Sequence, residues 1–250
     1  MILALGVFDG VHLGHQAIIK KADKVLTFHP HPDKNKKLLT TIEERSALIS
    51  NLEILKFDNY IASLSPELFI KDYLLKKFNL QKIVVGYDFK FGYQKSGDIN
   101  ELKRLGKKYK FEVEVLSPVT IDGLVPKSST IRNHLKNGQI ADANKLLGRH
   151  YCISGTVVHG KKLGRVLGFP TANLRLEPNK LIPGTGVYIG KKCVINIADI
   201  VEVHLLDFNG DLYDKNITVE FISKIREVKK FSNNNQLKKQ IAKDVAMAKR

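Results

Sequence analysis

Apolar residues follow two different rhythms along the 250-residue chain. In the first part, runs of strand length ("ILALGVF", "KVLTF", "NYIASL", "KIVVG", "FEVEVLS") alternate with stretches whose apolar residues recur at helical spacing. The last of these runs has strict period-two alternation at Phe111, Val113 and Val115. Helix starts are legible in the spaces between. Thr41 and Glu44 form a capping box ahead of "RSALISNLEIL", and Ser65 before Pro66 puts proline at the first helical position of "ELFIKDYLLKKF". This alternation predicts a parallel sheet with helices on both faces, a fold in which ligands bind beyond the carboxyl ends of the strands. Two short helices follow, "STIRNHLKNG" and "IADANKLLG", closed by Gly138 and Gly148.

After Tyr151 the rhythm changes. "YCISGTVV", "GVYIG", "KCVINIA", "IVEVHLLDF" and "DLYDKNITVEFI" are short β-type runs broken by turn signals, among them the hairpin dipeptide Asn209-Gly210. They predict a small antiparallel barrel, and "NNNQLKKQIAKDVAMAKR" predicts a polar-faced closing helix. The fold class is α/β: a parallel-sheet, Rossmann-like domain over 1–149, then a β-barrel domain with a C-terminal helix over 150–250. The boundary near Arg149 carries no long linker, and the chain has no internal repeat.

Candidate chemistry collects at the junctions. In "GVFDGVHLGHQAIIKKA", His12, Gly14 and His15 stand where a strand gives way to a helix. Unpaired backbone N–H groups and the positive end of the helix dipole converge there and favour a phosphate. Gly10 and Gly14 lack a Cβ and let a ligand approach the backbone closely. A turn carrying two surface histidines explains the same letters. Asp88, in "VVGYDFKFG", follows another buried strand. "KSSTIR" places Ser128, Ser129 and Thr130 at a helix start with Arg132 one turn in, which suits either a second phosphate or an ordinary N-cap.

In the second part, Gly155, Gly160 and Lys161 nearly meet the spacing of a P-loop. Lys162 stands where the metal-binding hydroxyl belongs and no helix pattern follows, so a P-loop is rejected. Thr171 and Asn173 in "FPTAN" offer a hydroxyl and an amide oxygen to a hard cation. Glu202 lies mid-strand among apolar neighbours, either turned to solvent or kept for acid–base work.

Composition narrows the function classes. A hydrophobic fraction of 43% over this length supports a sizeable core. The formal charge of +16 attracts polyanions. Its lysines are diffuse and no aromatic-interleaved basic motif accompanies them, so a nucleic-acid-binding protein is the weakest reading. Cys152 and Cys193 lie in strand-like runs, which supports neither a disulfide framework nor a zinc site. No apolar stretch reaches the roughly 18 residues of a membrane span and the start lacks a signal-peptide pattern, so a cytoplasmic protein is expected.

The segments "GVFDGVHLGHQ", "TFHPHP", "VVGYDFKFG", "KSGD", "SSTIR", "LLGRHY", "GRVLGFPTANL", "GVY", "VEVHLLDF" and "IREVKKFSNNNQLKKQIAKD" follow one another over nearly the whole chain. In this order they resemble the bifunctional bacterial riboflavin kinase/FMN adenylyltransferases, the prokaryotic FAD synthetases. The resemblance implies an N-terminal nucleotidyltransferase module and a C-terminal flavokinase module, taking riboflavin to FMN and then FAD with two ATP. His12 and His15 match the family's ATP-binding histidines and would stabilise charge as the FMN phosphate attacks the α-phosphorus. Gly6, Phe8, Gly10, Gly14, Asp88, Ser128, Ser129, Thr130 and Arg132 match its nucleotide-binding positions. Lys95, Asp98 and Arg226 fall at flavin-binding ones. Thr171 and Asn173 match residues that bind Mg²⁺ and phosphate, Glu202 matches the catalytic base, and the loop "GTVVHGKKLGR" would cradle the kinase nucleotide through Gly160 and Arg165. The implied partners are riboflavin, FMN and ATP, with no nucleic acid and no membrane; oligomeric state stays open.

Departures accompany the match. The connection "HQAIIKKADKVLTF" is short for the family, Lys127 replaces an aliphatic residue, and Lys95 stands where arginine is common. "VINIADIVEVHLL" lacks the loop expected between "NI" and "VEVH", and is either one continuous strand or a very tight hairpin. That shortening keeps an alternative alive: an adenylyltransferase with an impaired kinase module.

Overall fold

A computed structural model describes residues 1–160 and 163–249. The chain forms two compact units, Met1–Ser128 and Ser129–Arg250. The first holds β1 (Ile2–Leu5), α1 (Leu13–Ile19), β2 (Lys24–His29), α2 (Ile42–Leu48), β3 (Leu52–Lys56), α3 (Asn59–Ser63), α4 (66–77, with π turns at Phe69–Leu74), β4 (Lys82–Gly86), α5 (Ile99–Tyr109) and β5 (Glu112–Leu116). Its five strands pair in the order β3-β2-β1-β4-β5, all parallel. Alternate strand residues feed two cores. Leu3, Leu5, Leu26, Ile83 and Val85 pack with α3, α4 and α5 on one face, while Ala4, Val25 and Val84 pack with Ile18 of α1 and Ile49 on the other. Burial on both faces is what a parallel sheet requires, and the continuous apolar runs of β1 and β4 supply it.

The strand order reverses between β1 and β4, so the carboxyl ends of these two neighbours form the switch point where such sheets bind ligands. The histidine motif follows β1 and Asp88 follows β4.

Two expected elements are corrected. "NYIASL" is the helix α3, not a strand, because Asp58 caps it by accepting from Ile61 N at 3.0 Å. The helix opened by the Thr41–Glu44 capping box ends at Leu48, and "LEILK" beyond it is the edge strand β3. Short apolar runs do not distinguish helix from strand by periodicity alone.

The second unit contains α6 (Ser128–Lys136, whose first residue closes the first unit), α7 (Ile140–Leu147), β6 (Tyr151–Val158), α8 (Leu163–Leu167), β7 (Ala172–Leu176), β8 (Gly186–Gly190), β9 (Cys193–Ile197), β10 (Val201–Leu205), β11 (Asn216–Arg226) and α9 (Asn234–Ala248). The strands close a barrel in the order β10-β7-β6-β11-β8-β9, antiparallel throughout. Tyr151, Ile153 and Val157 of β6 point inward at alternate positions, and Tyr188 meets Phe221 edge-on with centroids 5.5 Å apart. Asn144 of α7 joins the helices to the barrel: its amide donates to Phe221 O at 2.9 Å, and its oxygen accepts from Tyr151 N at 2.7 Å. The two helices before position 149 therefore pack with the barrel.

Three local expectations are resolved here. Asn209-Gly210 does not close a hairpin, because both edges of β10 are taken by β7 and β9 while β11 pairs with β6 and β8. "VINIADIVEVHLL" is a tight hairpin, with Ile197 opposite Val201 and Ala198 N donating to Ile200 O at 3.2 Å. A five-residue helix, α8, does follow the Gly-rich loop where none was expected; Lys161 and Lys162 of that loop lie outside the described residues.

Neither cysteine is in a disulfide. Cys193 is fully buried inside the barrel, and that burial, with the Glu220 charge adding to it, pushes its thiol up to about 12. Thiolate is the reactive form. In the folded protein at pH 8, iodoacetamide should label half-buried Cys152 before Cys193, as read by peptide mass spectrometry; equal labelling would contradict the barrel interior.

Candidate active sites

The loop between β1 and α1 carries the first candidate site, and its backbone is bent hard. Phe8, Gly10 and Val11 have φ of 51°, 88° and 42°. Glycine adopts this region freely, whereas Phe8 and the β-branched Val11 do so at a cost of about 1–3 kcal/mol each. A buried polar network holds the loop in place. Asp9, 3% exposed, accepts from Leu39 N at 3.2 Å, Thr40 N at 3.0 Å and Thr40 Oγ1 at 3.3 Å. Gly10 N donates to Thr40 Oγ1 at 3.0 Å. Arg45 of α2, 2% exposed, lies 3.8 Å from Asp9 and donates to Thr27 Oγ1, which donates in turn to Val7 O at 2.8 Å. Burial lowers the Arg45 pKa from its ordinary value and the Asp9 charge raises it again.

The histidines stand on this frame. His12 is the N-cap of α1 and accepts from His15 N through Nδ1 at 3.3 Å. The two rings stack with centroids 3.5 Å apart, and Phe8 meets His15 edge-on at 5.4 Å. His12 is buried, so the bland reading of two surface histidines is set aside for His12; His15 is half-buried. Gly6 closes β1, donating from N to Leu26 O at 3.2 Å, and Gly14 packs against the His12 ring. Ser128 Oγ, at the end of the first unit, donates to Asp9 O at 2.9 Å. Ser129, Thr130 and buried Arg132 continue along α6 within the second unit.

Asp88 is exposed, just past β4. Beside it opens a cavity of about 400 Å³ at the carboxyl ends of the strands, walled by Phe28, Phe57, Phe69, Phe89 and Phe91. His31, Asp33, Lys90 and Lys95 also line it. Asp98 instead caps α5, accepting from Glu101 N at 2.9 Å. Sequence reading missed both the phenylalanine box and the Asp9–Arg45 pair. Its available signal was a phenylalanine at or just after the end of β2, β3 and β4.

The second candidate site lies on the barrel. Glu202 of β10 is registered between Asn173 on β7 and Asn196 on β9, so the three form one row across the sheet. Asn196 Nδ2 donates to Glu202 Oε2 at 3.0 Å. Asn173 Oδ1 is buried and accepts no hydrogen bond among the described residues. Gly160 presses against the same side chain: a Cβ there would fall 1.5 Å from Asn173 Nδ2, so any larger residue would have to displace that amide.

Two cavities meet at Thr171. One, of about 270 Å³, runs between the barrel and α9 and is lined by Glu202, Asn196, Arg226, Leu237 and Ile241. The other, of about 350 Å³, is lined by Arg165, Phe208 and Tyr213, with Asn209-Gly210 in its wall. Thr171 lines both. Each nitrogen of the Arg226 guanidinium is engaged: Nε and Nη2 hold buried Asp244 at 3.0 and 2.6 Å, and Nη1 donates to Glu227 O at 3.0 Å. Among the described residues no group of three or more His, Cys, Asp or Glu could hold a metal ion.

Removing one partner of a buried ion pair leaves the other charge uncompensated, at a cost of about 3–5 kcal/mol. Arg45→Met should lower the unfolding free energy of the first unit by that order in urea titration; an unchanged midpoint would show that Asp9 does not need its partner.

Comparison with known proteins follows the same division. A family model described as FAD synthetase matches residues 1–130, and one described as riboflavin kinase matches residues 147–250. Curated relatives named bifunctional riboflavin kinase/FMN adenylyltransferase include one from Buchnera aphidicola (Schizaphis graminum), 39% identical over 99% of this chain and 93% of the relative. Those of Bacillus subtilis strain 168 and Escherichia coli K12 are 36% and 33% identical, covering 97% and 99% of this chain and 90% and 91% of theirs. The alignment to the Buchnera relative spans 291 positions against 250 residues here, so that relative carries segments this chain lacks. A solved structure titled as a macrolide-efflux protein from Streptococcus pneumoniae superposes with a TM-score of 0.88 at 28% identity, over 100% of this chain and 93% of the other. Among the described residues, no helix is long and apolar enough to cross a membrane.

Proposed function

This chain belongs to the family of bifunctional riboflavin kinase/FMN adenylyltransferases, and we propose that its barrel unit phosphorylates riboflavin and its parallel-sheet unit adenylylates the resulting FMN. The observation that carries the reading is that each unit matches its own family model and holds its own cavity beside phosphate-type residues. A cytoplasmic location, where riboflavin and ATP meet, fits this chemistry.

In the barrel, riboflavin enters the cavity beneath α9 and ATP the cavity beside Arg165, so that the transferred phosphoryl group passes Thr171, which lines both. Glu202, its carboxylate fixed by Asn196, takes the proton from the ribityl 5′-hydroxyl as the oxygen attacks the γ-phosphorus and ADP departs. Gly160 and Arg165 hold the phosphate chain. Mg²⁺ suits this site: Thr171 Oγ1 and Asn173 Oδ1 are hard oxygen donors, and the latter is a buried acceptor with no partner among the described residues. With no carboxylate cluster among the described residues, these two oxygens and the nucleotide phosphates would hold the ion, which when bound neutralises phosphate charge. Arg226, fixed by Asp244, shapes the flavin end of the cavity. The row Asn173–Glu202–Asn196 survives the shortened β9–β10 turn intact, which favours a working kinase over the impaired alternative.

In the parallel-sheet unit, the flavin ring of FMN stacks in the phenylalanine box, with Lys95 at its wall. Gly6, Phe8, Gly10 and Gly14 shape the loop on which His12 and His15 face the triphosphate. An oxygen of the FMN phosphate attacks the α-phosphorus and pyrophosphate leaves, a positioning and electrostatic catalysis with no covalent intermediate. Asp88 sits across the switch point from the histidines, and Ser128, the last residue of this unit, adds a hydroxyl that donates to Asp9 O.

The His12→Ala/His15→Ala double variant should lose about 10²- to 10³-fold in FAD formation from FMN while FMN formation from riboflavin persists; wild-type FAD rates would refute the phosphate role. Glu202→Gln, which keeps shape and hydrogen-bonding capacity, should show the reverse. FMN formation falls by about 10²- to 10⁴-fold and FAD synthesis from supplied FMN continues; unchanged riboflavin turnover would assign Glu202 a structural role.

A further inference from the structure

The segment that presents Thr171 is held by a side chain no step above uses. The β7–β10 ladder ends at Val203 opposite Ala172, one residue short of Thr171. Beyond that point Pro170 has no N–H to donate and Thr171 is exposed, so backbone pairing does not fix the position of the hydroxyl. His204, next along β10, bridges the gap: its Nδ1 lies 2.8 Å from Pro170 O. A carbonyl oxygen only accepts, so this nitrogen carries the proton and the ring is held in the Nδ1–H tautomer. The same ring meets Phe169 edge-on, with centroids 5.6 Å apart and planes at 82°. Phe169 N in turn donates to Gly164 O at 2.8 Å, closing the turn after α8.

We propose that His204 is the positioning residue for Thr171: its Nδ1–H, bound to Pro170 O, replaces the missing ladder bond and sets where the Thr171 hydroxyl stands between the two cavities. The inference rests on the kinase reading above and deepens it. It explains a polar ring two residues from Glu202 on the same face of the strand, where His204 also borders the flavin-side cavity. Outer partners that orient a metal or phosphate ligand are commonly worth about 10- to 100-fold in affinity or activity.

Three full-length variants separate the hydrogen bond from the ring contact. His204→Ala removes both, His204→Phe keeps the ring against Phe169 without a donor, and His204→Asn offers an amide N–H near the place of Nδ1. All are made in the His12→Ala/His15→Ala background, so that MgADP heats in titration calorimetry come from the barrel unit. The KM values for MgATP and riboflavin are measured alongside. The expected result is that Ala and Phe raise the MgADP Kd and the MgATP KM about tenfold, leave the riboflavin KM within about twofold, and that Asn recovers most of the loss. MgADP binding by the Phe variant at parental strength overturns the proposal. So does a loss confined to riboflavin KM, no recovery by Asn at an unchanged melting temperature, or loss of cooperative melting in both the Phe and Asn variants. A parent that binds MgADP yet forms no FMN would sink the kinase reading instead, while the calorimetric comparison would still decide the role of His204.

Discussion

A single buried carboxylate sets the geometry of the first unit. Asp9 lies within a loop whose backbone enters the left-handed region three times in four residues, at Phe8, Gly10 and Val11. Such strain persists only where the surroundings over-determine it. Here Asp9 collects two backbone N–H groups and a hydroxyl from Leu39 and Thr40, with Arg45 closing the charge. An unpaired carboxylate at that depth would be too costly, so the network holds as a unit or fails as one. Because α1 starts two residues after Val11, the direction of its N-terminal N–H groups and of both histidines follows from this clamp. The ends of β1 and β4 at the switch point then place the loop beside the aromatic cavity.

The barrel reaches a similar result by strand register. Antiparallel pairing puts Asn173, Glu202 and Asn196 in one row, with a carboxylate held by one amide and a second amide left with a buried oxygen that has no partner among the described residues. Register is strongly specified where one face of a sheet is buried, and Val201 and Val203 on either side of Glu202 are both buried. A one-residue slip would turn Glu202 into the barrel interior and the valines outward. Thr171 lies just beyond the ladder's end, which is why it needs a side-chain tether.

Local features were the most legible in the sequence. The Thr41–Glu44 capping box, the Ser65-Pro66 start, the glycines at 138 and 148, and the Asn233 start of α9 involve neighbours a few residues apart, and all appear in the structure. Fold class followed from strand–helix alternation giving way to short β runs. Less legible was anything depending on residues far apart. The apolar run "LEIL" fits helix or strand until β2 is known to lie beside it. The Asp9–Arg45 pair spans two elements, and the phenylalanine box draws on the ends of several strands. In the candidate barrel site, the motifs pointed to Glu202 and Asn173 but not to Asn196, whose place beside Glu202 depends on strand register. Asp98 and Arg226 proved to be engaged in a helix cap and a buried ion pair, functions that sequence spacing does not reveal.

Two sites in one chain imply a defined flow of flavin and phosphate, and the unmodified protein tests it most directly. With riboflavin, Mg²⁺ and excess ATP, timed chromatography of flavins and nucleotides should show FMN rising first and declining as FAD accumulates, with total flavin constant. Each FAD formed should be accompanied by one ADP and one pyrophosphate. Conversion of supplied FMN to FAD with no FMN or ADP formed from riboflavin at any concentration would contradict a barrel site that works as a kinase.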